Sequence, residues 1–169
     1  GYLIPRIAAQ TPEAAGYILL AASARPLEDM MLEQTEYLLG LEKNLDDASK
    51  QKLLKQTSDM VSAVKSLTPD TELTAEQLGG VPASYWLDLK NYDPIAEIQQ
   101  IDKSILILQG GRDYQVTKTD YDLWLSAFHE YSDVHYRFYD NLNHLFMSGT
   151  GKSIPDEYQQ KGTVDTAVG

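Results

Sequence analysis

Apolar positions along the chain fall into two kinds of run. Short uninterrupted ones, GYILLAAS at 16–23 and ILILQ at 105–109, are bounded by turn residues and predict buried parallel strands. Longer stretches carry apolar residues at helical spacing. Leu27, Met30, Met31, Leu38 and Leu41 recur with Glu28, Asp29, Glu33 and Glu36 between them, and a second series runs through Leu53, Leu54, Met60, Val61, Val64 and Leu67. Residues 26–67 therefore predict two helices inserted between the strands. Leu3, Ile4, Ile7 and Ala8 predict a first helix with one apolar face, and Pro5 fits it only near the helix start, where few amide donors are committed. Residues 66–82 are rich in turn formers, and Asp93-Pro94 opens a short helix. Tyr121, Leu123, Trp124, Leu125 and Phe128 predict an amphipathic helix, DVHYRFYD at 133–140 a third strand, and the segment from Asn141 onward a loop.

Alternation of strand and helix in this order makes the chain an α/β protein with parallel strands. Such sheets keep their chemistry just beyond the carboxyl ends of the strands. Asp113, set after a strand and the pair Gly110-Gly111, occupies that position and reads as a functional residue. Asp93, Asp133 and Asp140 follow no comparable strand and glycine pair.

Charge and composition narrow the chemistry. A formal net charge of −11 without a local Lys/Arg cluster disfavours nucleic acid and anionic membrane surfaces as partners. Cysteine is absent, which excludes disulfides, thiolate metal sites and a cysteine nucleophile, and leaves the compartment open. His129 and His135 have no ligand-spaced partner, so no metal is expected. SGTGKS at 148–153 imitates a phosphate loop, but Phe146 stands where its first glycine is needed, and no cofactor is expected. Ser23 lacks the flanking glycines of a nucleophile turn and reads as a loop residue.

LILQGGRDYQV at 106–116, the helical insert before it and YDNLNHLF at 139–146 together resemble the C-terminal half of the α/β-hydrolase superfamily, in particular bacterial esterase-like serine hydrolases with a helical lid. The resemblance implies a partial α/β-hydrolase fold over 1–169: three parallel strands, flanking helices and a lid insertion at 26–67. It casts Asp113 as the catalytic acid and His144 as the catalytic base. In this family a serine in a G-x-S-x-G elbow precedes both in chain order. No such elbow occurs here, and GYLIPRIAAQ resembles the segment that comes directly after an elbow, so the resemblance places the serine a few residues before Gly1. It further implies an acyl substrate, with Met30, Met31 and Leu38 of the lid as substrate-binding residues, and leaves esterase, thioesterase and acyl-peptidase open.

A chain that begins after the elbow carries two expectations. It should be inactive alone, and the edge of the strand at 16–23 should pair with the N-terminal half of the protein or with a second copy. A different class of reading makes the chain a non-catalytic binding or assembly module derived from a hydrolase. An intact upstream elbow separates the two.

Overall fold

A computed structural model describes every residue from Gly1 to Gly169. The chain divides into two compact units, one formed by residues 1–25 and 93–169, the other by residues 26–92.

The first unit is built on a three-stranded parallel sheet, β1 (Gly16–Leu20), β2 (Ser104–Gly110) and β3 (Val134–Tyr139), in the order β1-β2-β3. Gly16 pairs with Ser104 and Leu20 with Leu108, while Ile105 pairs with Val134 and Gly110 with Tyr139. The pairing of β1 continues past its end, where Ala21 N donates to the Leu108 carbonyl at 2.9 Å. β2 is central and its ILIL run is almost entirely buried, as an uninterrupted branched run requires.

β1 departs from the buried strand that its sequence predicts. It is an edge strand on which Leu19 is fully buried while Ile18 and Leu20 are 56% and 46% exposed. Alternation explains the difference. Leu19, Ile105, Ile107 and Val134 share the face that packs on Tyr121, Trp124 and Phe128 of the helix Lys118–Phe128. Ile18 and Leu20 point to the other face, where buried cover is confined to Ala21, Leu108, Leu142 and Phe146. The Trp124 indole donates to the Ala22 carbonyl at 2.8 Å, so the large ring is buried without an orphaned N–H.

Two short helices complete this unit, α1 (Ile4–Ala8) and α5 (Pro94–Ile98). The predicted apolar face of α1 is also corrected: Pro5 and Ala8 are buried, whereas Leu3 and Ile7 are exposed. A helix of one turn and a half is positioned by whatever its ends are tied to, not by its own periodicity. Pro5 lies in the first turn, where its missing N–H costs nothing. At α5 the Asp93 carboxylate caps the helix by accepting from the Ile95 and Ala96 amides.

The second unit is helical. α2 (Leu27–Leu41) and α3 (Asp47–Ser66) pack on each other, with Asp46 capping α3 through the Ser49 amide. α4 (Ala83–Leu89) brings Trp86 into a core with Val64, Leu67 and Leu78, and the Trp86 indole donates to the Leu78 carbonyl. No helix of the protein is long and apolar enough to cross a membrane. The helix Lys118–Phe128 of the first unit is α6.

Candidate active site

Asp113 follows β2 by three residues, in a turn whose shape its own side chain sets. Oδ1 accepts from the amides of Gln115 at 2.7 Å and Val116 at 3.1 Å. Oδ2 faces the other way and meets Nδ1 of His144 at 2.7 Å, with the Gln109 amide nitrogen at 3.4 Å. The carboxylate thus serves as turn former and as histidine partner at once, one oxygen for each. Its side chain is fully buried and that of His144 is 28% exposed. An ionised carboxylate only accepts, so a hydrogen bond to it from His144 requires the ring proton on Nδ1. Nε2 of His144 hydrogen-bonds to no group of the chain.

His144 is presented by a tight loop after β3. The fully buried Asn143 side chain accepts from the Leu145 and Met147 amides at 3.0 and 3.1 Å, and the Asn143 backbone N–H donates to the Met147 carbonyl. Phe146 closes the loop at a φ of 57°, a left-handed backbone that a bulky residue adopts only when its surroundings impose it.

The glycine pair that precedes Asp113 has a steric reason. A side chain on Gly110 would fall 2.5 Å from the Leu142 carbonyl and 2.6 Å from that of Asn143, and one on Gly111 would fall 2.9 Å from the Asp140 backbone. Loops 110–113 and 140–144 lie backbone on backbone, locked by Gly111 N to Tyr139 O at 2.8 Å and Arg112 N to Leu142 O at 2.9 Å. This contact is what brings a carboxylate and an imidazole from adjacent strands within hydrogen-bonding range.

Several buried polar groups, one of them beside the pair, are not marked as such by the sequence pattern. Gln109, buried at the end of an apolar strand, donates to Asp113, to the Gly110 carbonyl and to the Val116 carbonyl. An amide ending a run of isoleucine and leucine was the available signal. Asp120, fully buried in α6, accepts from Arg25 Nη2 at 2.7 Å and from the Ala24 and Arg25 amides. Nothing in the sequence marked it. Ser23 Oγ donates to the Arg25 carbonyl at 2.8 Å and to Asp120 at 3.3 Å, a loop role. His129 and His135 are exposed, and no three His, Asp or Glu side chains are grouped to hold a metal. Met30, Met31 and Leu38 all lie on α2 of the helical unit, Met30 buried and Met31 packed on the Val64 and Trp86 core.

Over an alignment of 170 positions that covers 98% of its length, the chain is 38% identical to the esterase EstD of Thermotoga maritima. It is similar to an esterase. The match spans 38% of that relative's own length, so this chain corresponds to well under half of it. A solved esterase of Pyrococcus furiosus shares 11% identity at a TM-score of 0.45, covering 83% of this chain and 40% of that one, a likeness too distant to add to the fold. No protein-family model matches the chain. The resemblance to an esterase-like hydrolase thus rests on the EstD match, beside a sheet of three parallel strands with flanking helices.

Proposed function

We propose that this chain supplies the acid and the base of a serine ester hydrolase whose nucleophile lies N-terminal to Gly1. The observation that carries the reading is the Asp113–His144 hydrogen bond of 2.7 Å, made by a fully buried carboxylate to a histidine whose other ring nitrogen is unengaged. A serine hydroxyl is a poor nucleophile until an imidazole takes its proton. Nε2 of His144 removes that proton as the oxygen attacks the acyl carbonyl, and Asp113 stabilises the imidazolium that results. The same proton then passes from Nε2 to the departing alkoxide, leaving an acyl-enzyme. Water repeats the sequence to release the acid. The name of EstD supports a carboxylic ester over a thioester or an acyl-peptide.

Gly1 is compatible with the end of a nucleophile elbow. A side chain there would fall 2.6 Å from Ala22 Cα and 2.7 Å from the Leu20 carbonyl, so the chain passes β1 at a distance open only to glycine. On this reading the serine and the oxyanion donors are contributed by the rest of the protein, which pairs with the free edge of β1. The chain alone hydrolyses no ester. A fluorophosphonate probe tests this: the full-length protein is labelled at one serine upstream of Gly1 and turns over a chromogenic acetate, and the isolated chain does neither. Labelling within residues 1–169, or turnover by the chain alone, would sink the proposal. An unlabelled and inactive full-length protein would instead favour a binding module.

Met30, Met31 and Leu38 are proposed to shape the acyl preference. Leu38→Trp in the full-length protein should shift preference toward shorter acyl chains by about tenfold in kcat/KM ratio while leaving acetate nearly unchanged. Equal losses at every chain length would assign Leu38 to packing alone.

A further inference from the structure

The sequence beyond the histidine loop reads as featureless, yet one short 3-10 turn within it, Pro155–Gln159, touches the flanks of both Asp113 and His144. Glu157 receives Nη2 of Arg112, the residue before Asp113, on both carboxylate oxygens at 2.6 and 2.7 Å. The same carboxylate accepts from the side-chain amide of Asn143, the residue before His144, at 3.4 Å. Tyr158 repeats the pattern with its other neighbours. Its hydroxyl lies 3.4 Å from the His144 amide and 2.9 Å from Ser153 Oγ, and its ring packs edge-on against Tyr114, the residue after Asp113. Ser153 in turn donates to the Arg112 carbonyl through both its amide and its hydroxyl at 2.8 Å.

We propose that Glu157 and Tyr158 are positioning residues that hold Asp113 and His144 in register, an inference that rests on the acid-base reading of the pair. Neither side chain bonds the Asp113 carboxylate or the His144 ring, so each acts through the residues next to them. Arg112 is 5% exposed, and a guanidinium that deep is held only where its partners are fixed. Nε donates to the Gly151 carbonyl at 2.6 Å, and Nη1 lies against Gly149, where a side chain would fall 2.1 Å away. Burial raises the Glu157 carboxyl, but the hydrogen bond and charge of Arg112, with the Ile154 and Asn143 donors, bring it below the usual carboxylate range, so the clamp stays charged at neutral pH. Strand pairing sets the backbones of the two loops. The clamp fixes their rotation, on which the direction of Nε2 depends.

The experiment pairs kinetics with a readout that does not require turnover. In full-length protein labelled with 15N-histidine, ring nitrogen shifts report the His144 tautomer. The intact protein should show the Nδ1-protonated form. Glu157→Gln and Tyr158→Phe should give mixed tautomers, with kcat lowered on the order of 10- to 100-fold and KM within about twofold. The double variant Arg112→Met, Glu157→Met removes the charge pair without stranding either charge and is expected to retain the fold, which circular dichroism checks. If the pair merely stabilises, that variant regains normal turnover; if it positions, the tautomers remain mixed. A pure Nδ1 tautomer and unchanged kcat in Glu157→Gln and in the double variant overturn the positioning role. Mixed tautomers with undiminished ester turnover would overturn the acid-base reading beneath it.

Discussion

On the proposed acid-base reading, His144→Ala is expected to lower ester turnover by the full-length protein by several orders of magnitude, and Asp113→Asn by about 10⁴-fold. Alanine removes the only base in the pair. The asparagine result comes from how the two carboxylate oxygens are used. Oδ1 is committed to the Gln115 and Val116 amides, and an asparagine must keep an oxygen there or set its NH2 against two N–H donors. That orientation turns the NH2 toward His144 Nδ1 and the Gln109 amide. Nδ1 must then accept, the ring proton moves to Nε2, and the nitrogen needed as a base carries a proton instead. The turn survives while the tautomer inverts, so the loss should appear in kcat with an unchanged circular dichroism spectrum. Retention of more than about a tenth of normal turnover in both variants would end the assignment of this pair to catalysis.

The largest effect on stability is expected at Asp120, away from the proposed chemistry. Its carboxylate is wholly buried and takes Nε and Nη2 of Arg25, the amides of Ala24 and Arg25, and the Ser23 hydroxyl. It ties the segment leaving β1 to the first turn of α6. Asp120→Ala removes the carboxylate that a partly buried guanidinium and the Ala24 and Arg25 amides share, and should cost about 3 kcal/mol or more. Asp120→Asn keeps the shape and the neutral acceptor, and should cost less. Urea denaturation would show a lower midpoint at an unchanged slope. A cost below about 1 kcal/mol for the alanine variant would mean that solvent reaches Arg25 well enough to replace the pair.

The features legible in the sequence were those set by local rules. ILILQ reads as a buried parallel strand, because branched residues on both faces need cover on both, and it is buried in the centre of the sheet. The placement of Gly110, Gly111 and Asp113 at the sheet's carboxyl edge follows from where such a strand ends. β1 misled because GYILL is as apolar as a central strand, and exposure of Ile18 and Leu20 depends on what lies beside and over the strand, which a five-residue run does not encode. Leu3 and Ile7 misled for the same reason at the scale of a single helical turn. Bonds between distant residues left no trace. Arg25 and Asp120 are 95 positions apart, and Arg112 and Glu157 are 45 apart. A charged side chain in either setting looks like any other surface charge until the fold has placed its partner. Asn143 and Tyr158 were hidden in a tail with no periodicity, since turns built from side-chain bonds to backbone obey no repeating pattern.

Gln109, Asp113, Asn143, His144, Ser153, Glu157 and Tyr158 all lie on one uninterrupted stretch, and the helical unit at 26–92 is complete before it begins. A genetic exchange with breakpoints outside that stretch carries the proposed acid and base and the residues bonded around them across as a set. The helical unit, by contrast, can lengthen, shorten or be replaced in a lineage without any of those residues changing its neighbours in the chain. If the proposed roles hold, changes in substrate range and preservation of the reaction would fall on separate parts of the coding sequence.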